Sequence, residues 1–248
     1  MATTKMISTD VSLHHSRKNV SPDVRAPRLL AKWPIIGLLM FVFGGLVFGG
    51  LAYNLYVHGP LLQWDTTIAN TLPAIALQSP PLVKAIIVSG FYIGNAVIIV
   101  LGILIGFYFI IKRFWQELVM LAIGMGGEAL LFFSLSNFIG RARPSTQIWD
   151  ILKIPGFPSG HSMAVVVFFG LIAYLWTPNI SSVFWKGIVI AAAIFLMIFV
   201  GFCRVFTGGH YLTDVLAGYA VGVAWSGMAY TLIELYYQNR RSRNVEKG

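Results

Sequence analysis

The chain has 248 residues, of which 57% are hydrophobic and only 11% are charged, and its formal net charge is +9. This composition excludes an ordinary soluble domain, which carries about 25% charged residues, and predicts an integral membrane protein that is all-α. The positive charge accompanies no folded basic surface with interleaved aromatic residues, so nucleic-acid binding is not indicated.

The basic residues are concentrated towards the two ends of the chain. Residues 1–32 are polar and basic, and residues 237–248 form a second basic segment. We expect both to be cytoplasmic tails, because basic segments are attracted to anionic lipid on that face of a membrane. Residues 33–236 between them are predicted to form one membrane domain.

Six apolar runs are predicted to span the membrane, which takes about 20 helical residues. They are Trp33 to Val57, Ala85 to Ile111, Leu118 to Gly140, Ser162 to Trp176, Gly187 to Phe202 and Val215 to Ile233. The fourth run is short, and we expect His161 and Pro178 to complete it. Glu128 interrupts the third run, where an ionisable residue indicates either a hydrogen-bonded packing role or a role in proton movement or lipid selection.

Two further patterns concern how the helices are placed. Leu61, Trp64, Ile68, Leu72 and Ile75 recur at steps of three and four, the spacing of one helical face. This pattern predicts an interfacial helix on the outer leaflet, serving either as a packed connector or as a rim that guides a lipid headgroup. Small-residue pairs that let helices approach closely begin at three glycines: Gly45, Gly102 and Gly218.

Three polar clusters occur at the ends of the predicted spans. They are Arg141-Ala142-Arg143-Pro144, Pro158-Ser159-Gly160-His161 and Arg204-x5-His210-x3-Asp214. Six spans place the connections that carry these clusters on one side of the membrane, opposite both termini and most of the Lys and Arg residues. Because positive loops stay cytoplasmic, we expect the clusters to face outwards, or towards the periplasm.

The third cluster contains the residue types of a nucleophile for phosphoryl transfer. His210 and Asp214 are four residues apart, which places them on one face at the start of the sixth helix. The carboxylate can therefore hold one ring nitrogen of His210 and leave the other to attack phosphorus.

The other polar residues can bind the phosphoryl oxygens. His161 begins the fourth helix, and backbone N–H groups at a helix N-terminus form an anion site. Gly160 lets the backbone approach the anion, and the Ser159 hydroxyl can donate to it. Arg143 and Arg204 can each bind phosphoryl oxygens with two N–H groups.

The three clusters resemble the signatures of the type 2 phosphatidic acid phosphatase superfamily, which shares its site with vanadium haloperoxidases. Those signatures are Lys-x6-Arg-Pro, Pro-Ser-Gly-His and Ser-Arg-x5-His-x3-Asp. The resemblance implies that His210 forms a phosphohistidine, that Asp214 orients it, and that His161 protonates the leaving group and then activates water. It also implies that the phosphate is bound by Arg143, Arg204, Ser159 and Gly160.

The chain departs from these signatures at two positions. Ser136 replaces the lysine of the first signature, and Cys203 replaces the serine of the third. Loss of a preorganised charge lowers the rate about 10²–10³-fold at an oxyanion-type site. We expect Arg141 to substitute by binding phosphate, with Asn137 and Lys153 as the other candidates.

The resemblance implies a metal-independent, cofactor-free phosphatase of the plasma membrane, which is the inner membrane of a cell with two. Its substrate would be a lipid phosphate in the bilayer: phosphatidate, phosphatidylglycerol phosphate, a lipid A phosphate or a polyprenyl diphosphate. One alternative is phosphotransfer to an acceptor hydroxyl. Another is a non-catalytic lipid-binding member, which Ser136 favours. The sequence leaves the oligomeric state open.

Overall fold

The computed structural model describes residues 28–145 and 154–246. Parts of both basic tails, together with Lys153, lie outside the described residues. The α-helices are α1 (Leu29–Lys32), α2 (Pro34–Tyr56), α3 (Leu61–Gln78), α4 (Pro81–Tyr92), α5 (Ile98–Ile111), α6 (Trp115–Ile139), α7 (Gly160–Trp176), α8 (Val183–Phe206) and α9 (Leu212–Glu246). The predicted all-α fold class is confirmed.

Within the described residues, five helical segments are long and apolar enough to cross a membrane. They are α2, α6, α7 with the 3-10 turn that extends it to Asn179, α8 and α9. The predicted second span corresponds to a composite helix in which α4 and α5 are joined by a π-helical segment, Ile93–Val97. The fourth span begins at Gly160, so His161 belongs to its first turn, as expected.

α2 packs closely along α9, and glycines make this possible. A Cβ at Gly44 would lie 2.4 Å from the Ala220 carbonyl oxygen, whereas one at Gly45 would meet nothing within 4 Å. The close approach on α2 therefore uses Gly37 and Gly44, and the predicted packing role of Gly45 is wrong. Sequence alone does not tell which face of a uniformly apolar helix meets its neighbour.

The predicted small-residue pair on α9 does make a close contact. A Cβ at Gly218 would lie 2.5 Å from the Ser159 carbonyl oxygen and 2.8 Å from the Ser162 side chain. The start of α7 therefore lies directly on α9. In the same region the Ser159 N–H donates to the Asp214 carbonyl at 2.9 Å. This contact joins the second and third polar clusters.

The helix predicted between the first and second spans is present as α3, and its two faces differ. Trp64 and Ile75, from the predicted apolar face, are exposed. The buried face instead consists of Asp65 and small residues such as Ala69 and Ala76. The helix thus packs on the protein mainly through small side chains and one carboxylate, while Ile68 and Leu72 of the predicted face are only half-buried.

Candidate active site

The structure brings residues of all three polar clusters to one cavity of about 440 Å³. Arg143, Gly160, His161 and His210 line its polar end. The remaining lining is mostly apolar, with Glu128 the exception. It comes from the second, third and fourth spans (Gly94, Ile98, Ile99, Met125, Ala129, Phe132, Phe133 and Ala164) and from Ile154 in the connection before α7.

His210 lies in the connection between α8 and α9 and is 1% exposed. Its Nδ1 lies 2.8 Å from the Gly156 carbonyl oxygen, and its Nε2 lies 3.2 Å from an Arg143 guanidinium nitrogen. A carbonyl only accepts and a guanidinium only donates, so these partners assign the proton to Nδ1 and the lone pair to Nε2. Burial, together with the positive charges of Arg204 and Arg143, holds the pKa of His210 well below its usual value.

Asp214 lies beside the His210 ring without bonding to it. Its Oδ2 is 3.6 Å from His210 Nδ1, whereas it accepts from the Tyr211 N–H at 2.9 Å. The nearer acceptor for the ring is the Gly156 carbonyl. A Cβ at Gly156 would lie 3.2 Å from Asp214 Oδ2, so glycine allows this loop to approach. The carboxylate therefore acts on the ring through its charge and not through a hydrogen bond.

Arg141 is directed to carboxylates and does not line the cavity. One guanidinium nitrogen donates to Asp214 Oδ1 at 2.5 Å, and the other donates to Asp65 Oδ2 at 2.8 Å. The guanidinium carbon is 4.1 Å from the centre of the Tyr211 ring. The predicted phosphate-binding position of Arg141 is not the one observed, because two buried carboxylates bind its charge instead.

Arg204 and His161 each carry a buried nitrogen atom. Arg204 Nε and His161 Nε2 are both buried, with no hydrogen-bond partner among the described residues. The Phe91 ring lies 5.1 Å from the Arg204 guanidinium carbon and 5.6 Å, centre to centre, from the His161 ring. Buried polar atoms are bonded in the great majority of cases, so these two nitrogens indicate a ligand site.

The start of α7 has a capping serine and a glycine that packs closely against an aromatic ring. Ser159 Oγ accepts from the Ser162 N–H at 3.4 Å and from the Ser162 hydroxyl at 3.1 Å, so it caps the helix. A Cβ at Gly160 would lie 2.9 Å from the Phe132 ring. The predicted donation from Ser159 to phosphate would therefore have to coexist with this capping role.

Ser136, at the position of the signature lysine, is buried, and its hydroxyl donates to the Phe133 carbonyl at 3.4 Å. The Asn137 side chain donates to the same carbonyl at 2.8 Å. Both side chains therefore turn back onto their own helix, and neither replaces the missing cation in this arrangement.

Two residues of the site were missed by the sequence analysis. Gly156 supplies the acceptor for His210, and Asp65 lies 1% exposed beneath the start of α9. The sequence signal for Asp65 was its place on α3, three residues before Ile68 and seven before Leu72, which puts it beside the apolar residues that defined the helix.

A sequence model of the PAP2 superfamily matches residues 114–237, half of the chain. The chain belongs to the PAP2 superfamily. The match contains all three polar clusters, so the resemblance drawn from them is confirmed at the level of the family.

Named relatives of this PAP2 protein fall into two kinds. It is 33% identical over 128 residues to phosphatidylglycerophosphatase B of Bacillus subtilis, covering 51% of this chain and 61% of the relative. It is 35% identical over 116 residues to lipid A 1-phosphatase of Rhizobium etli, covering 43% of this chain and 45% of the relative. The matched part thus spans less than two thirds of each relative.

A solved structure shares the fold over most of the PAP2 protein. It is the crystal structure of a transmembrane PAP2 type phosphatidylglycerolphosphate phosphatase from Bacillus subtilis. The TM-score is 0.65 at 25% sequence identity, and the alignment covers 82% of this chain and 96% of that one. The multi-pass membrane architecture is therefore shared.

Proposed function

We propose that this PAP2 protein is a phosphatase that removes a terminal phosphate from a membrane lipid, without a metal ion and through a phosphohistidine. The observation that carries the proposal is a set of buried nitrogens, on two histidines that line one cavity and on Arg204 near them. His210 Nε2 presents a lone pair, while His161 Nε2 and Arg204 Nε are buried without a hydrogen-bond partner among the described residues.

In the first step, His210 Nε2 attacks phosphorus. A P–N bond forms as the bond from phosphorus to the ester oxygen breaks, and protonated His161 gives its proton to that oxygen, which leaves as an alcohol while His161 becomes neutral. His210 then carries a positive charge, because Nδ1 keeps its proton. The Gly156 carbonyl accepts a hydrogen bond from this Nδ1–H at 2.8 Å, and the Asp214 carboxylate at 3.6 Å stabilises the charge.

In the second step, neutral His161 takes a proton from water, whose oxygen attacks phosphorus. The P–N bond breaks, inorganic phosphate leaves, and the electron pair returns to His210 Nε2. Arg143, Arg204 and the N–H groups at the start of α7 would bind the phosphoryl oxygens in both transition states. The low pKa of His210 keeps it neutral and able to attack.

We further propose that the site faces outside, or into the periplasm, of the plasma membrane, with the termini in the cytoplasm. Support comes from contacts at the opposite end of the bundle. Arg28, before α1, pairs with Glu117 at 2.6 Å and with Glu234 near the end of α9 at 3.4 Å. The described start of the chain at Arg28 therefore lies beside the second half of α9, away from the cavity, and positive segments stay cytoplasmic.

The proposal is tested by phosphate release from the purified protein in detergent with EDTA. The substrates are phosphatidate, phosphatidylglycerol phosphate, lipid A 1-phosphate and a prenyl diphosphate. We expect release from at least one lipid and its loss by about 10³-fold or more in His210→Ala. The control is His58→Asn, which changes an exposed histidine with φ 53°, a conformation that Asn tolerates.

Two results would contradict the proposal. Release that requires a divalent metal, or that persists in His210→Ala, would exclude the histidine mechanism. A folded protein that binds lipid phosphates but releases no phosphate from any of them would support the non-catalytic alternative instead.

A further inference from the structure

Glu128 lines the same cavity as the two histidines, and the mechanism proposed above does not use it. It lies in α6 and is 5% exposed. Its carboxyl group forms no hydrogen bond or ion pair with any of the described residues. An ionisable group inside a membrane span is unfavourable unless a partner binds it. This carboxyl group is therefore a candidate site for binding a group of the substrate.

The position of Glu128 relative to the phosphate site follows from helix geometry. Phe132 packs against Gly160 at the start of α7, the level of the proposed phosphate site. Glu128 precedes Phe132 by four residues, which places it about 6 Å further along α6, away from the outer end. A lipid whose phosphate lies at His210 would therefore place the atoms next to its phosphate ester near Glu128.

The neighbouring side chains do not satisfy the carboxyl group. The Tyr230 hydroxyl packs at Gly124, one turn before Glu128 on α6. It donates its hydrogen bond to the Val167 carbonyl at 3.2 Å. The cavity residues beside Glu128 on its own helix, Met125 and Ala129, carry no hydrogen-bond donor in their side chains. The cavity thus has a cationic end and, one turn below it, a single acidic group.

We infer that Glu128 forms a subsite that accepts a hydrogen bond from a hydroxyl or amide group of the substrate, next to the phosphate ester. This inference rests on the proposed function and narrows its substrate class. A carboxyl oxygen accepts such a bond whether or not the group is ionised.

The candidate lipids differ in this chemistry. Phosphatidylglycerol phosphate has a hydroxyl on the carbon next to the phosphorylated one, and a lipid A 1-phosphate has an amide on the neighbouring sugar carbon. Phosphatidate has only ester groups there, and a prenyl diphosphate has only hydrocarbon. The subsite therefore favours a phosphorylated glycerol headgroup or a phosphorylated amino sugar over the other two.

The test compares Glu128→Leu, which removes the acceptor at similar volume, with Glu128→Gln, which keeps a carbonyl oxygen. The readout is the ratio of kcat/KM for the preferred donor-bearing lipid, phosphatidylglycerol phosphate or lipid A 1-phosphate, to kcat/KM for phosphatidate of matched acyl chains. We expect this ratio to fall about tenfold in Glu128→Leu, the size of one hydrogen bond to a charged group, and about threefold or less in Glu128→Gln.

The results that would contradict the Glu128 inference can be told apart from those that would contradict the proposed function. A structural role for Glu128 lowers both activities in parallel and leaves the ratio unchanged, which would overturn the inference. A wild-type protein that prefers phosphatidate or the prenyl diphosphate would also overturn it, while leaving the proposed phosphatase function intact. Absence of phosphate release from every lipid would instead reject the proposed function. Elution as a single species confirms that each variant is folded.

Discussion

Asp65 Oδ1 accepts a hydrogen bond from the Thr213 N–H at 3.0 Å, although 148 residues separate the two along the chain. Its other oxygen accepts from the Thr213 hydroxyl at 2.5 Å and from Arg141 at 2.8 Å. Thr213 directly precedes Asp214 in the first turn of α9. Helix α3 therefore holds the start of α9, and with it the carboxylate beside His210.

This relationship predicts that Asp65→Asn lowers catalysis without removing a catalytic group. Asn keeps an oxygen for the Thr213 N–H but loses the charge that pairs with Arg141. We expect kcat to fall about tenfold, the size of a hydrogen bond to a charged group, while KM changes less. Steady-state kinetics on the preferred lipid phosphate would measure both. Asn70→Ala, on the exposed side of the same helix, is the control, and an equal loss in that variant would exclude a specific effect of Asp65.

The partners of Arg141 predict that it acts differently from Arg143. Arg141→Leu leaves the buried carboxylates of Asp65 and Asp214 without their cation, and breaking a buried pair destabilises a protein by about 3–5 kcal/mol. We expect a large fall in Tm in detergent, part of which is regained in the double variant with Asp65→Asn.

Arg143 contacts the cavity, so Arg143→Lys is expected to weaken inhibition by inorganic phosphate about tenfold, because lysine cannot donate two parallel bonds. Arg141→Lys, the matched variant, is expected to leave phosphate inhibition within about twofold of wild type. Similarly weakened phosphate inhibition in both variants would show that Arg141 also binds phosphate.

The lowered pKa of His210 makes a prediction about pH and stability. Below the ordinary value of about 6.5, the unfolded chain binds a proton at His210 while the folded protein does not. Stability attributable to this residue therefore falls as pH drops below 6.5, by about 1.4 kcal/mol per pH unit, until the folded-state pKa is reached. The decrease in Tm between pH 7.5 and pH 5 should thus be smaller in His210→Ala. An equal decrease in both proteins would mean that the pKa is not lowered.

The packing of α2 on α9 predicts opposite results at adjacent glycines. Gly44→Ala forces a Cβ to within 2.4 Å of the Ala220 carbonyl oxygen, whereas Gly45→Ala places it in open space. Both changes raise helix propensity equally, by up to about 1 kcal/mol in water, so propensity cancels in the comparison. We expect a lower Tm for Gly44→Ala and an unchanged or higher one for Gly45→Ala. Equal Tm values would show that the two helices can separate to accommodate a methyl group.

The helices follow from the sequence because the apolar runs are long. The clustering of His161 and His210 also follows from it, because both residues lie at span ends that the order of the spans places on one side. The direction in which the Arg141 side chain points does not follow from the sequence. Its neighbours in sequence indicated the phosphate, but a carboxylate 76 residues away, Asp65, binds its guanidinium. The acceptor for His210 was missed for a related reason. It is the backbone carbonyl of Gly156, and a backbone atom leaves no signature in residue type.

The π-helical segment Ile93–Val97 divides the second span at the level of the cavity. Gly94, within it, faces the His161 ring: a Cβ there would lie 3.2 Å from His161 Cδ2. A π turn accommodates one residue more than an α turn, and one residue corresponds to about 100° of rotation. Loss of a single residue there would turn α4 by about that angle relative to α5 and leave α5 in place. One-residue insertions and deletions at this point therefore offer relatives a way to reshape the wall beside His161 without repacking the rest of the bundle.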